Sequence, residues 1–163
     1  MSTSIHNNKR FSKVLVAVDG SELSMDAAEY GIFLAQKYDA DLIALYASPK
    51  MMSYEYYDED NDIRTNKSVL GIGGIAELPR REIEEKSFSK IKEKCKQNNV
   101  RVITEVIISS RSVAADIIDY AENNNVNLIV VGTKGRTGFK KLLLGSVASA
   151  VVTYAHCPVL IVR

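Results

Sequence analysis

The chain has 163 residues, enough for one domain with its own hydrophobic core. Apolar residues make up 46% and charged residues 25%, and 21 basic against 20 acidic side chains leave a net charge of +1, the profile of an ordinary globular protein. That balance excludes a strong overall pull toward DNA, RNA or an anionic membrane surface, and no apolar run reaches the roughly 18 to 20 residues of a membrane span. No nucleic-acid or membrane partner is expected.

Residues 1–10 are polar and lack the apolar stretch of a signal peptide, so they read as a flexible lead-in, with a cytoplasmic location as the default. Residues 11–163 read as one domain. Lys13 to Asp19 is a near-continuous apolar run closed by Asp19-Gly20-Ser21, which suits a strand buried on both faces. Ser21 and Glu22 open a helix whose apolar side carries Ala27, Ala28, Gly31, Ile32, Leu34 and Ala35. Asp41 to Ala47 is a second strand of the same kind.

Residues 48–78 break the pattern, with Pro49, the tyrosines Tyr54, Tyr56 and Tyr57, and a glycine-rich stretch from Leu70 to Ile75. A loop of roughly 30 residues is unusual inside a compact domain and reads as an insertion that is functional or mobile. A helix follows Pro79, its buried side marked by Ile83, Phe88, Ile91 and Cys95. Val100 to Ile108 is a third strand whose early alternation fits an edge position. Ser112 to Asn125 is a helix, Asn127 to Gly132 a fourth strand, 135–144 a loop, Ser146 to Tyr154 a short helix and Pro158 to Val162 a fifth strand. Cys95 and Cys157 suggest neither a disulfide framework nor a metal site.

Strands alternating with helices imply an α/β fold: a single doubly wound five-stranded parallel sheet with helices on both faces, Rossmann-like. Right-handed crossovers leave few topologies, of which strand order 3-2-1-4-5 leads. Ligands of such sheets bind beyond the carboxyl ends of the strands where the order reverses, here between strands 1 and 4. Strand 1 ends at Ala17, Val18 and Asp19, and strand 4 at Val131, Gly132 and Thr133.

Two uncommon features therefore converge on one place. Gly132 and Gly135 have no side chains to keep an anion away from backbone amides. Gly145 and Ser146 open a helix whose first amides and dipole favour a phosphate, and Ser146 adds a hydroxyl. Lys134, Arg136, Lys140 and Lys141 bring positive charge, although the last two also read as ordinary solvent-facing lysines. G-x-x-x-x-G-K-[ST] is absent, and no G-x-G-x-x-G follows strand 1, where Asp19-Gly20-Ser21 occupies the turn instead. Asp19 can hold a ribose hydroxyl, hold a phosphate through a divalent metal, or simply cap the helix that follows. His6 and His156 form no triad with a positioned serine.

Gly132-x-x-Gly135, nine residues, then Gly145-Ser146 resembles the G-2x-G-9x-G-[ST] signature of ATP-binding universal stress proteins. The run from Val14 through Asp19-Gly20-Ser21 is similar to the opening strand of that family, and Cys157 through Val162 to its closing strand. The resemblance implies a small cytoplasmic protein, often a homodimer, that binds ATP, ADP or AMP with Mg²⁺ or Mn²⁺. It implies Ala17, Val18, Ala47, Val131 and Gly132 around the base and sugar. It also implies Asp19 near ribose and phosphates, as the residue that would hold a metal. Thr133, Gly135, Arg136, Gly145, Ser146 and Val147 are implied around the phosphates.

The function expected is an adenine-nucleotide-binding stress or energy-state regulator that shifts conformation with occupancy. One alternative is a slow ATPase or phosphotransferase, for which Asp19 is the one evident base. Another is a nucleotide-independent dimeric interaction module. In each case the apolar last strand, Val159 to Val162, is the expected dimer edge.

Overall fold

A computed structural model describes residues 11–48, 81–109, 111–134 and 144–163. The lead-in and the 49–78 part of the insertion lie outside the described residues. Five strands form one parallel sheet: β1 (Lys13–Ala17), β2 (Asp41–Ser48), β3 (Val102–Ile108), β4 (Leu128–Gly132) and β5 (Val159–Val162). Their order is β3-β2-β1-β4-β5, so the reversal falls between β1 and β4 as the apolar patterning predicts.

Side chains on each strand alternate between two cores. Val14, Val16, Leu42, Ala44, Leu128 and Val130 meet α1 (Glu22–Tyr38) and a second helix that enters through a π-helical segment, Ile83–Phe88, and continues as α2 (Ser89–Gln97). Leu15, Ile43, Leu45, Ile129 and Val131 meet α3 (Val113–Asn123) and α4 (Ser146–Tyr154). Strands covered on both faces must be apolar at nearly every position, which is why these segments read as continuous runs rather than alternating ones.

Element ends differ from the sequence expectation for identifiable reasons. β1 stops at Ala17 because the Val18 amide still donates to Leu45 O (2.9 Å) while the Asp19 amide turns to Ser24 Oγ (3.3 Å). β3 starts at Val102 because the Val100 amide closes the preceding helix on Cys95 O (2.9 Å). The strand is an edge, as its alternation implies, and leaves Ile103 and Ile108 exposed.

The amino-terminal side of the sheet is fastened by Asn127. Its Oδ1 accepts from the amides of Ser12 and Lys13 (3.0 Å each), and its Nδ2 donates to Ser12 Oγ (2.8 Å). His156 joins the same side through a 3.0 Å hydrogen bond between Nε2 and Val126 O, a structural role. Both cysteines are free thiols. Cys95 lies in the α1 and α2 core, and burial pushes its thiol up to about 11.

Candidate functional site

The site begins with a turn. After β1 the chain reverses through Asp19, Gly20 and Ser21, and Gly20 adopts φ +80°, a conformation that side-chain-bearing residues rarely take. Asp19 Oδ1 accepts from both the Ser21 amide (3.0 Å) and the Ser21 hydroxyl (2.6 Å), an Asx turn. Ser21, not Asp19, is the N-cap of α1: its Oγ accepts from the Ser24 amide (3.2 Å), and Ser24 Oγ donates back to Ser21 O (2.9 Å). One hydroxyl thus links the carboxylate to the helix start.

This dual use has a testable consequence. Ser21→Ala removes both bonds and is expected to cost about 1 kcal/mol, the usual value of a lost N-cap. Ser21→Asn keeps a capping oxygen and is expected to melt close to wild type. Thermal denaturation of the two variants checks this, and equal losses would exclude capping as the main role of Ser21.

The other half is built at the end of β4. The Thr133 amide donates to Val162 O (2.8 Å), and Thr133 O accepts from the Gly145 amide (2.7 Å). The second bond sets the start of α4 directly against the end of β4. Gly145 is the N-cap of α4 and has no side chain to bond its first-turn amides; the Ser149 amide closes the first turn on Gly145 O (2.9 Å). That end carries the positive pole of the helix dipole, a favourable seat for an anion.

The two halves meet at Gly132. A β-carbon there would lie 2.9 Å from Leu23 O and 3.0 Å from Leu23 C, in the first turn of α1. Leu23 follows Ser21 by two residues, so the end of β4 presses on the helix that the Asp19 turn begins. The lack of a side chain at Gly132 is thus required by packing between β4 and α1, a use that its position in the phosphate signature does not reveal.

The remaining expected residues fall on both faces. Ala47 and Val131 are buried in the core beneath α3 and α4, with Ala17 and Val147 packed against it. Val18 turns its side chain into the opposite core with Ile83 and Phe88, so only its main chain faces the strand ends. Thr133 is buried, Gly145 half-buried and Ser146 exposed. Gly135, Arg136, Lys140 and Lys141 lie outside the described residues. Sequence reasoning missed Ser21, Ser24 and Leu23 as parts of the site. The Asp-x-Ser and Ser-x-x-Ser spacings carried the first two, whereas nothing local marks Leu23.

Comparison with known proteins decides the family. The model of the universal stress protein family matches residues 10–163. The chain belongs to this family. A universal stress protein of Methanocaldococcus jannaschii is 33% identical over 156 residues, covering 94% of this chain and 82% of the relative. YxiE, a universal stress protein of Bacillus subtilis, is 33% identical over 160 residues, covering 94% and 99%. Among solved structures, UspA from Lactobacillus plantarum superposes with a TM-score of 0.77 at 23% identity, covering 94% of this chain and 99% of that one. Similar folds include a universal stress protein from Archaeoglobus fulgidus in complex with dAMP (TM-score 0.62, 18% identity, 94% and 98% covered). Another was solved in complex with cAMP (TM-score 0.65, 22%, 94% and 98%). The doubly wound sheet of this universal stress protein is thus the family's fold. No helix among its described residues is long and apolar enough to cross a membrane.

Proposed function

We propose that this universal stress protein binds an adenine nucleotide, ATP or a hydrolysed form of it, between the Asp19 turn and the start of α4, and acts as a regulatory module in the cytoplasm. One observation carries the reading. The Asp19 turn and the α4 N-terminus stand at the single reversal of the sheet, held to each other through Gly132 and Leu23. Two similar folds, solved with dAMP and with cAMP, add support from outside the chain.

Ala17, Ala47 and Val131 offer small apolar surface for a base. Thr133, Gly145, Ser146 and Val147, with Gly135 and Arg136, would serve the phosphates. A divalent cation at the Asp19 turn would be held in the manner of Mg²⁺, by one carboxylate and otherwise by phosphate oxygens and water. The chemistry available is retention of a nucleotide rather than its cleavage. The β5 edge, Val159–Val162, is apolar along its length and borders an open groove of about 540 Å³ walled by Tyr30, Leu160, Val162 and, at its end, Arg163. A second copy of the chain is the partner proposed there.

Calorimetric titration with ATP, AMP and cAMP, with and without Mg²⁺, tests the reading. Saturable binding that is lost in Asp19→Ala is expected, with no turnover of bound ATP over hours. Absence of heat with every adenine nucleotide would overturn it. Sedimentation of the same samples reads the dimer.

A further inference from the structure

The second helix has an uncommon entrance. Ile83 and Phe88 are five residues apart, yet both are buried, 1% and 3% exposed. In an α-helix five residues turn through 500°, which would carry Ile83 about 140° away from the face of Phe88. The π-helical segment Ile83–Phe88 absorbs that mismatch, because wider turns bring residues five apart onto one side. Ile83, Ser87, Phe88, Ile91 and Cys95 thereby share the buried face.

What Ile83 reaches by this detour is the ligand turn. A β-carbon built on Gly20 would lie 2.9 Å from Ile83 Cδ1 and 3.7 Å from Ser87 Oγ. Gly20 stands between Asp19 and Ser21, and Val18 lies in the same core cluster as Ile83. A π-helical turn is rare inside an α-helix, and such turns are frequent at functional sites.

We infer that Ile83 is a positioning residue for the nucleotide site: carried by the π turn, it packs on Gly20 and holds the Asp19-Gly20-Ser21 turn in its binding conformation. The inference rests on the nucleotide reading above. Ile83 touches no nucleotide itself. It sets the fraction of molecules whose turn is ready to bind, and apparent affinity scales with that fraction.

Three variants separate this role from plain core packing. Ile83→Ala removes the contact with Gly20. Ile91→Ala truncates an equally buried side chain on the same helix face, away from Gly20. Deletion of Glu85 shortens the interval to Phe88 to four residues, the α spacing, so that Ile83 returns to Gly20 from an unbroken helix. All three are compared with wild type by ATP titration under conditions where each is fully folded, and by amide exchange at Gly20, Ser21 and Ser24.

Ile83→Ala is expected to weaken ATP binding by about tenfold and to speed exchange at those amides. Ile91→Ala is expected to lose a similar amount of melting temperature but bind as wild type. The Glu85 deletion is expected to bind as wild type. Equal affinities for Ile83→Ala and Ile91→Ala would overturn the inference, as would loss of binding in the deletion with Ile83 still buried. If wild type binds no nucleotide, the site reading fails instead. The exchange data then still decide whether Ile83, and not Ile91, holds the turn.

Discussion

Gly132→Ala is expected to lower stability by about 2 kcal/mol and to weaken adenine-nucleotide binding more than any other single methyl added to the site. The added β-carbon would meet the carbonyl of Leu23 at 2.9 Å. That neighbour is main chain in the first turn of α1, so no rotamer change can relieve the overlap. Either β4 or the start of α1 must move, and each carries half of the site. Removing a glycine from a strand recovers roughly 0.5 to 1 kcal/mol of chain entropy, less than the overlap costs. A melting temperature lower by about 4 to 8 °C is the expected reading for a chain of this size. Gly145→Ala is the natural comparison. Its β-carbon would sit 3.2 Å from Thr133 O, close enough to require a shift of only a few tenths of an ångström. Indistinguishable melting and affinity for Gly132→Ala and wild type would refute the packing argument.

Gly31→Val tests how closely α1 lies on the sheet. A β-carbon at Gly31 would be 2.3 Å from Val16 Cγ2 and 3.3 Å from Leu42 Cδ1. Valine is a slightly better helix former than glycine, by roughly 0.3 to 0.5 kcal/mol. Forcing three extra carbons between α1 and β1 is expected to cost about 3 kcal/mol, so the overlap wins by a wide margin. Val16 is branched at Cβ, which restricts the rotamers it can yield into. Urea unfolding should show the loss, and a companion Val16→Ala change should restore part of it. Because the two sites touch, their effects are expected not to add.

Much of this architecture can be read from the sequence. Buried parallel strands announce themselves as apolar runs, and five such runs separated by helical stretches leave few topologies. The reversal between β1 and β4 follows, and with it the place where Asp19 and Gly145 converge. The helix starts were equally open to inspection, since Ser21 and Ser112 are capping residues immediately ahead of periodic segments.

What sequence left hidden is of three kinds. One is long-range: the contact of Gly132 with Leu23 joins residues more than a hundred positions apart, and no local pattern encodes it. Another is a departure from regular geometry. Ile83, Phe88, Ile91 and Cys95 look like one helical face, but the first interval is five residues and fits no α-helix. The π turn was present in that spacing. The division of labour between Asp19 and Ser21 was hidden for a simpler reason. Both residue types cap helices well, and only the geometry shows that Ser21 does so while Asp19 accepts from it.

The Asn127 fastening at the opposite end of the sheet bears on when the site comes into being. Its carboxamide takes the Lys13 amide, 114 residues earlier in the chain, alongside the β1–β4 pairing. During synthesis, β1 can find β2 soon after it leaves the ribosome, but its other side stays open until β4 has been made. The Asp19 turn therefore exists for most of translation without the strand and helix that complete it. A nascent chain stalled before Asn127 should fail to retain nucleotide however well its first half has folded. The proposed nucleotide site would thus be completed only with the finished sheet.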